Sequence, residues 1–263
     1  MERPSAVERF TGFADLYDAT RPSPPPELVD LLCQWIGTAR PFVVDVGAGT
    51  GLSTSIWERR ARRVVAVEPS ADMRARLQQR LAAWSIEHEV LGGSAEATGL
   101  EDGVADLVTA GQAMHWFDPD RSLPEIARIL RPGGVFAAFD CDWPPLIDAE
   151  VDAAYLAAER RCRSLEAERE LTPRRQAKSG HLARMAASGV FRLTREVALH
   201  HRGSGGADQL LDLIGSQGGI VALRQAGVSD EAMGLAELRR TAERRLPEPA
   251  TWWWTYRVRL GQC

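Results

Sequence analysis

The stretch Val43-Val44-Asp45-Val46-Gly47-Ala48-Gly49-Thr50-Gly51 constrains this chain more than any other. An apolar run from Phe42 to Val46 ends in three glycines at alternate positions. That pattern reads as a strand buried on both faces that breaks into a tight turn. Glycine admits left-handed backbone and, lacking Cβ, lets a ligand approach the main chain. The segment from about Leu52 to Ala61 reads as a helix, whose N-terminus would offer free N–H groups and a partial positive charge. Strand, glycine turn and helix together predict a nucleotide-like cofactor site at the edge of a parallel sheet.

The spacing discriminates between cofactors. The dinucleotide fingerprint G-x-G-x-x-G, started at Gly47, needs glycine where Leu52 stands. The glycines run G-x-G-x-G and follow an acidic residue, Asp45. This resembles the first motif of class I S-adenosylmethionine (SAM) dependent methyltransferases. The second apolar run, Arg63 to Val67, ends at Glu68, about 20 residues past the glycines, where a carboxylate can accept from both ribose hydroxyls. Pro69-Ser70 then caps a helix predicted from about Ala71 to Ala83. Met73, at its start, is either core filler or the apolar residue that such methyltransferases set against adenine.

Further landmarks fall in register. Glu87 to Leu91 reads as a weak third strand. Gly93 to Asp106 resembles, without a gap, the family stretch G-D-A-E-x-L-P-F-x-D-x-x-F-D, with Ser94 where the family usually has an aspartate that accepts from the adenine amino group. Serine offers that acceptor without charge, while an adenine contact from the Ala95 N–H is indifferent to side chain. Asp106 to Ala110 reads as the fourth strand and runs into Gly111-Gln112-Ala113-Met114-His115-Trp116-Phe117-Asp118. H-W-F-D here, and F-x-x-x-A-x-x-Y-x-x-x-R-P from Phe10 to Pro22, resemble the branch that includes trans-aconitate methyltransferase. The resemblance implies that Tyr17 and Arg21 lie near the methionine end of SAM or the acceptor, and that His115 and Trp116 line the transfer site. A packed Tyr17 and a hydrogen-bonded scaffold role for His115 are the alternatives.

The cofactor-binding set implied by the resemblance is Asp45, Gly47, Ala48, Gly49, Gly51, Glu68, Pro69, Met73, Ser94, Ala95, Glu96, Gly111 and Gln112. His115 is the best-placed base or acceptor-positioning group. Trp116 and Trp143 are the substrate-binding candidates, and Arg21 is a natural fork for a carboxylate. Asp140, Cys141 and Asp142 follow the fifth strand, Val135 to Phe139, and are read as solvated unless they face the acceptor. The fold expected is α/β: a Rossmann-like seven-stranded methyltransferase sheet, mostly parallel with an antiparallel last strand, with a helical cap. One domain is expected over residues 1–263, with lid helices in 1–40, the SAM-binding core in 41–140, and cap helices plus the last two strands in 141–263.

The C-terminal part is read from periodicity. Helices are predicted from Ile147 to about Glu170, His181 to Ser188, Ala207 to Ile214 and Asp230 to Arg245. Phe191 to Leu199 and Thr251 to Leu260 alternate as strands, and Gly203 to Gly206 as a turn. The tandem tryptophans Trp252, Trp253 and Trp254 fit sheet-face packing better than base stacking, because no basic patch accompanies them.

Composition excludes several classes. A net charge of −4 gives no electrostatic case for nucleic acid. The four cysteines show no metal spacing, so reduced thiols, no metal and a cytoplasmic location are expected. No apolar run is long enough to span a bilayer. Lys178, the single lysine, reads as the signature of a GC-rich, bacterial genome. The expected reaction is methyl transfer from SAM, leaving S-adenosylhomocysteine, to oxygen or nitrogen of a small molecule such as a carboxylic acid or secondary metabolite. The alternatives are an RNA-base or peptide methyltransferase and a non-catalytic SAM-binding protein.

Overall fold

The computed structural model describes residues 20–172 and 175–263. Tyr17 lies outside them. Seven strands follow in chain order: β1 (Phe42–Val46), β2 (Arg63–Val67), β3 (Glu87–Leu91), β4 (Ala105–Gly111), β5 (Leu130–Cys141), β6 (Leu193–Gly205) and β7 (Ala250–Gln262). They form one sheet in the order β3-β2-β1-β4-β5-β7-β6. β1 pairs in parallel with β2 and β4, β2 with β3, and β4 with β5. β7 runs antiparallel to β5, with Val135 opposite Gln262 and Cys141 opposite Tyr256. This is the Rossmann-like methyltransferase sheet that the sequence predicts, with β7 inserted between β5 and β6.

Position in the sheet follows from composition. Every residue of β1 is buried, as are Ala105 to Ala110 of β4, which suits apolar strands covered on both faces. β3 is an edge strand whose Glu87 and Glu89 pair with Arg63 at 3.1 and 3.4 Å. Charges of this kind keep an edge from pairing with another chain. The strand order reverses between β1 and β4, so their carboxyl ends open the crevice in which such sheets bind ligands.

The residues divide into two compact units. The first comprises 23–141, 175–199 and 256–263; the second holds the described residues of 142–172 and 200–255, with 20–22. In the second unit the helix Ala149–Glu168 packs against Leu235–Arg245. Asp148 caps the former, accepting from the N–H groups of Glu150 and Val151. Among the described residues no helix is long and apolar enough to cross a membrane.

Several expectations are corrected. The helix predicted from Leu52 to Ala61 is a single 3-10 turn, Thr54–Trp57, flanked by turns. Ser53 and Thr54 spend their hydroxyls on Asp45 instead of capping a helix. The predicted helix Asp230 to Arg245 is interrupted at Gly234, whose φ of 80° is left-handed. A helix over Gly218–Gln225 carries no signal that the sequence reading used. β6 runs through the predicted Gly203 turn to Gly205, where Trp252 packs against the glycine and an added Cβ would lie 2.5 Å from the ring.

Candidate active site

The turn after β1 is built by its glycines. Gly47, Gly49 and Gly51 have φ of 67, 58 and 91°, all left-handed. At Gly47 an added Cβ would lie 2.8 Å from that of Ala113, so the loops after β1 and β4 can meet only because this residue is glycine. At Gly49 no atom of the described residues lies within 4 Å of such a Cβ. The N–H groups of Gly47 and Ala48 donate to the Val67 carbonyl at 2.8 and 3.2 Å, which ties the turn to the end of β2.

Two carboxylates hold this turn from opposite sides. Asp45 has no exposed surface. It accepts from the hydroxyls of Thr54, Thr109 and Ser53 at 2.6, 2.7 and 2.8 Å. Burial pushes its carboxyl up in pKa while the three hydroxyls pull the other way. Asp45 therefore braces the turn from beneath. Glu68 is 7% exposed. It accepts from the Gly49 N–H at 2.9 Å through Oε2 and from the Ser70 N–H at 2.8 Å through Oε1. Burial raises its pKa against the pull of those two donors. Each oxygen keeps lone-pair capacity for one more donor. Arg74 fixes the same corner, donating to the carbonyls of Glu68 and Pro69 at 2.8 and 2.7 Å. Ser70 caps the helix Ala71–Leu81 through the Met73 N–H, and Met73 is buried.

The loop at Ser94 and the loop after β4 complete the carboxyl edge. Ser94 and Ala97 exchange backbone hydrogen bonds at 3.1 and 3.2 Å around a buried Ala95. Glu96 accepts from the Asp118 N–H at 2.9 Å. Gly111 has no room for a side chain: a Cβ would lie 2.6 Å from that of Ser53 and 2.8 Å from the Phe139 ring. Gln112 takes a φ of 55°, rare outside glycine. Its N–H donates to the Phe139 carbonyl at 2.8 Å, its Nε2 lies 2.7 Å from the Cys141 sulfur, and its Oε1 accepts from Lys178 at 2.6 Å.

His115 belongs to a buried polar cluster. Its ring stands 4.9 Å from that of Trp116, and its carbonyl accepts from the Gln176 N–H at 2.7 Å. Its Nδ1 faces Asp140 Oδ1 at 3.8 Å. Asp140 also meets the Lys178 ammonium at 3.0 Å, the Arg259 guanidinium at 2.9 Å and His181 Nε2 at 3.7 Å. Arg259, itself buried, reaches Glu196 at 2.8 Å. Burial, and then the Lys178 charge, push the His115 pKa down to about 3. Burial likewise lowers His181 to about 4, with Asp140 opposing. Burial would raise Asp140, but the Lys178 ammonium beside it holds its carboxyl below the ordinary range. At neutral pH the cluster thus holds an ionised Asp140 and two neutral imidazoles.

Sequence reasoning missed most of this cluster. Lys178, read as a signature of base composition, bridges Asp140 and Gln112. Asp140, read as a solvated loop carboxylate, is buried. His181 and Arg259 carried no motif. Arg21 and Trp143 come together in the second unit, with the guanidinium 4.6 Å from the ring centroid. Trp143 also meets Trp254 edge-on at 5.4 Å. His115 and Trp116 belong to the first unit.

Known proteins carry the same core. Residues 44–138 match the methyltransferase domain family. An uncharacterized methyltransferase of Mycobacterium tuberculosis (strain ATCC 25618 / H37Rv) is 44% identical over 129 residues, 48% of this chain and 49% of that protein. One from Schizosaccharomyces pombe is 33% identical over the same extent. The chain thus aligns with about half the length of the curated relatives it matches. Over 92% of the chain the fold is shared with a candidate type II methyltransferase from Anaeromyxobacter dehalogenans, at a TM-score of 0.66 and 24% identity, covering 97% of that structure.

Proposed function

We propose that this chain is a SAM-dependent methyltransferase that acts at oxygen or nitrogen of a small molecule. The observation that carries the reading is the pairing of Glu68 with the Gly49 N–H at 2.9 Å. It sets an acidic acceptor at the end of β2 against glycine backbone at the end of β1, as a nucleoside on this edge requires. The fit is direct. Glu68 would hold the ribose hydroxyls, and the Gly47–Gly51 turn would pass close to the methionine part because no Cβ intervenes at Gly49. Ala95 and Met73 would border the adenine. SAM brings a methyl group already activated by its sulfonium. The chain's own residues have to hold the acceptor in line and exclude water, which supplies much of the rate. The similarity of residues 44–138 to methyltransferase domains supports the same cofactor.

Titration calorimetry with SAM, S-adenosylhomocysteine and NAD tests the reading. Binding of the first two without NAD is expected. NAD binding without SAM would overturn it.

A further inference from the structure

His115, Asp140 and His181 place one nitrogen or oxygen each within 4.8 Å of one another, the grouping of a two-histidine, one-carboxylate metal site. Their proton inventory argues against a cation. A metal-bound histidine donates its other ring N–H to an acceptor. His181 Nδ1 instead lies 2.8 Å from the Arg184 guanidinium, which can only donate. Its proton therefore sits on Nε2, facing Asp140 Oδ2 at 3.7 Å. Lys178 and Arg259 direct two further donors at the same carboxylate.

Asp140 is thus a buried carboxylate in a shell of donors, and His115 completes that shell. Of its two ring nitrogens, Nδ1 is the one buried without a hydrogen-bond partner among the described residues, and it lies 3.8 Å from Asp140 Oδ1. A lone pair there would face a negative charge at 3.8 Å in a poorly screened interior, whereas an N–H would be attracted. We propose that Asp140 holds the His115 proton on Nδ1 and so leaves Nε2 bare to take the proton of a hydroxyl methyl acceptor, a phenol, enol or alcohol. The proposal rests on the methyltransferase reading above.

The chemistry balances. An oxygen lone pair of the acceptor forms the new bond to the methyl carbon. The carbon–sulfur bond breaks, and its electron pair stays on sulfur as a neutral thioether. The hydroxyl proton passes to Nε2, and the resulting imidazolium, stabilised by Asp140, later releases it to water. The low pKa of His115 fits a hydroxyl better than an amine. A hydroxyl oxygen becomes strongly acidic as the methyl arrives, so a weak base suffices. A methylated ammonium would keep its proton against this imidazole.

Long-range proton–nitrogen NMR of the histidine-labelled full chain, assigned with His115→Gln, reads the tautomer without any ligand. The expected result at neutral pH is Nδ1–H on His115 and Nε2–H on His181. Asp140→Asn should mix the His115 tautomers, and Asp140→Glu should restore the single form. A wild-type spectrum with the proton on His115 Nε2 overturns the proposal, even where the Asp140 variants fail to fold. So does a shift of both histidines on addition of Zn²⁺ alone, because a metal needs both facing nitrogens bare. A second arm follows homocysteine release over a panel of phenols, alcohols, amines and carboxylic acids. Hydroxyl compounds should turn over, and His115→Gln should lose about 10²- to 10⁴-fold with S-adenosylhomocysteine affinity unchanged. Turnover of carboxylic acids or amines alone, or full activity in His115→Gln, overturns the proposal. Failure to bind S-adenosylhomocysteine overturns the methyltransferase reading and the acceptor role with it. The tautomer spectrum tells the two failures apart, since it needs no SAM.

Discussion

The glycine turn and the Asp140 cluster sit at the same carboxyl edge and are made in opposite ways. The turn is largely local: Asp45, Ser53 and Thr54 close on one another within nine residues, and Glu68 and Thr109 join them from elsewhere. Its carboxylates accept from hydroxyls and backbone N–H groups. The Asp140 cluster is assembled from the β4 loop, the end of β5, the segment at Lys178 and the C-terminal part of β7. Its carboxylate is surrounded by cations and imidazoles. A neutral bracket shapes backbone for a ligand, whereas a charged one fixes protons.

Removing the central carboxylate should separate the two most sharply. Asp140→Ala takes one of two carboxylate partners from the Arg259 guanidinium, which is 2% exposed and keeps only Glu196 among the described residues, and one partner from Lys178. Breaking a buried ion pair from one side costs about 3–5 kcal/mol. Denaturant unfolding should read a loss of that order. A loss below about 1 kcal/mol, the range of exposed pairs, would mean that the cluster is solvated in solution.

The cluster should also make stability fall with acid. His115 and His181 have folded pKa values of about 3 and about 4, against an ordinary value of 6.5. Below 6.5 the unfolded chain takes up protons that the folded chain refuses, so stability drops as pH falls from there toward the folded values. Asp140, whose carboxyl is held low, adds stability that is present above its unfolded value and lost as pH falls through its folded one. Thermal unfolding across this range should lose much of its slope in the His115→Gln, His181→Gln double variant. An unchanged slope would remove both histidines from the account.

Glu68→Ala attacks the other region and should leave stability less affected than cofactor binding. A charge-assisted hydrogen bond contributes about 1.5–3 kcal/mol, so losing even one to the ribose weakens SAM by roughly tenfold or more in calorimetry. Unchanged SAM affinity would leave Glu68 as a brace for Gly49 and Ser70 alone.

This contrast explains what the sequence made legible. Strand ends and glycines are set by short-range physics, so β1, β2 and β3 were bounded to the residue. The position of Glu68 beside the glycine turn is legible because one crossover connection fixes its spacing from the glycines. The helix after Gly51 was misjudged because Asp45, buried beneath it, takes the hydroxyls of Ser53 and Thr54. Sequence periodicity does not report that competition. His181 and Arg259 lie 41 and 119 residues from Asp140, so only the folded sheet brings them to it. Lys178 was dismissed for the feature that marks it out: a chain that uses arginine elsewhere has a compact ammonium where Asp140 and Gln112 converge.

The smallest effect expected is a gain. Ser94 stands where the resembling family stretch has aspartate, and its hydroxyl accepts from the Glu96 N–H at 3.3 Å. Ser94→Asp would keep an oxygen for that N–H and direct a charged one at the adenine amino group. A neutral hydrogen bond contributes about 0.5–1.5 kcal/mol and a charged one about 1.5–3, so SAM should bind about 1 kcal/mol more tightly. Gly93 limits the gain, because its missing Cβ would lie 2.8 Å from the Ala97 carbonyl and the turn has little freedom to open for a longer side chain. Equal tightening of SAM and S-adenosylhomocysteine is expected, since both carry the same adenine. Tightening of SAM alone would place residue 94 near the sulfonium and move the adenine elsewhere along the edge.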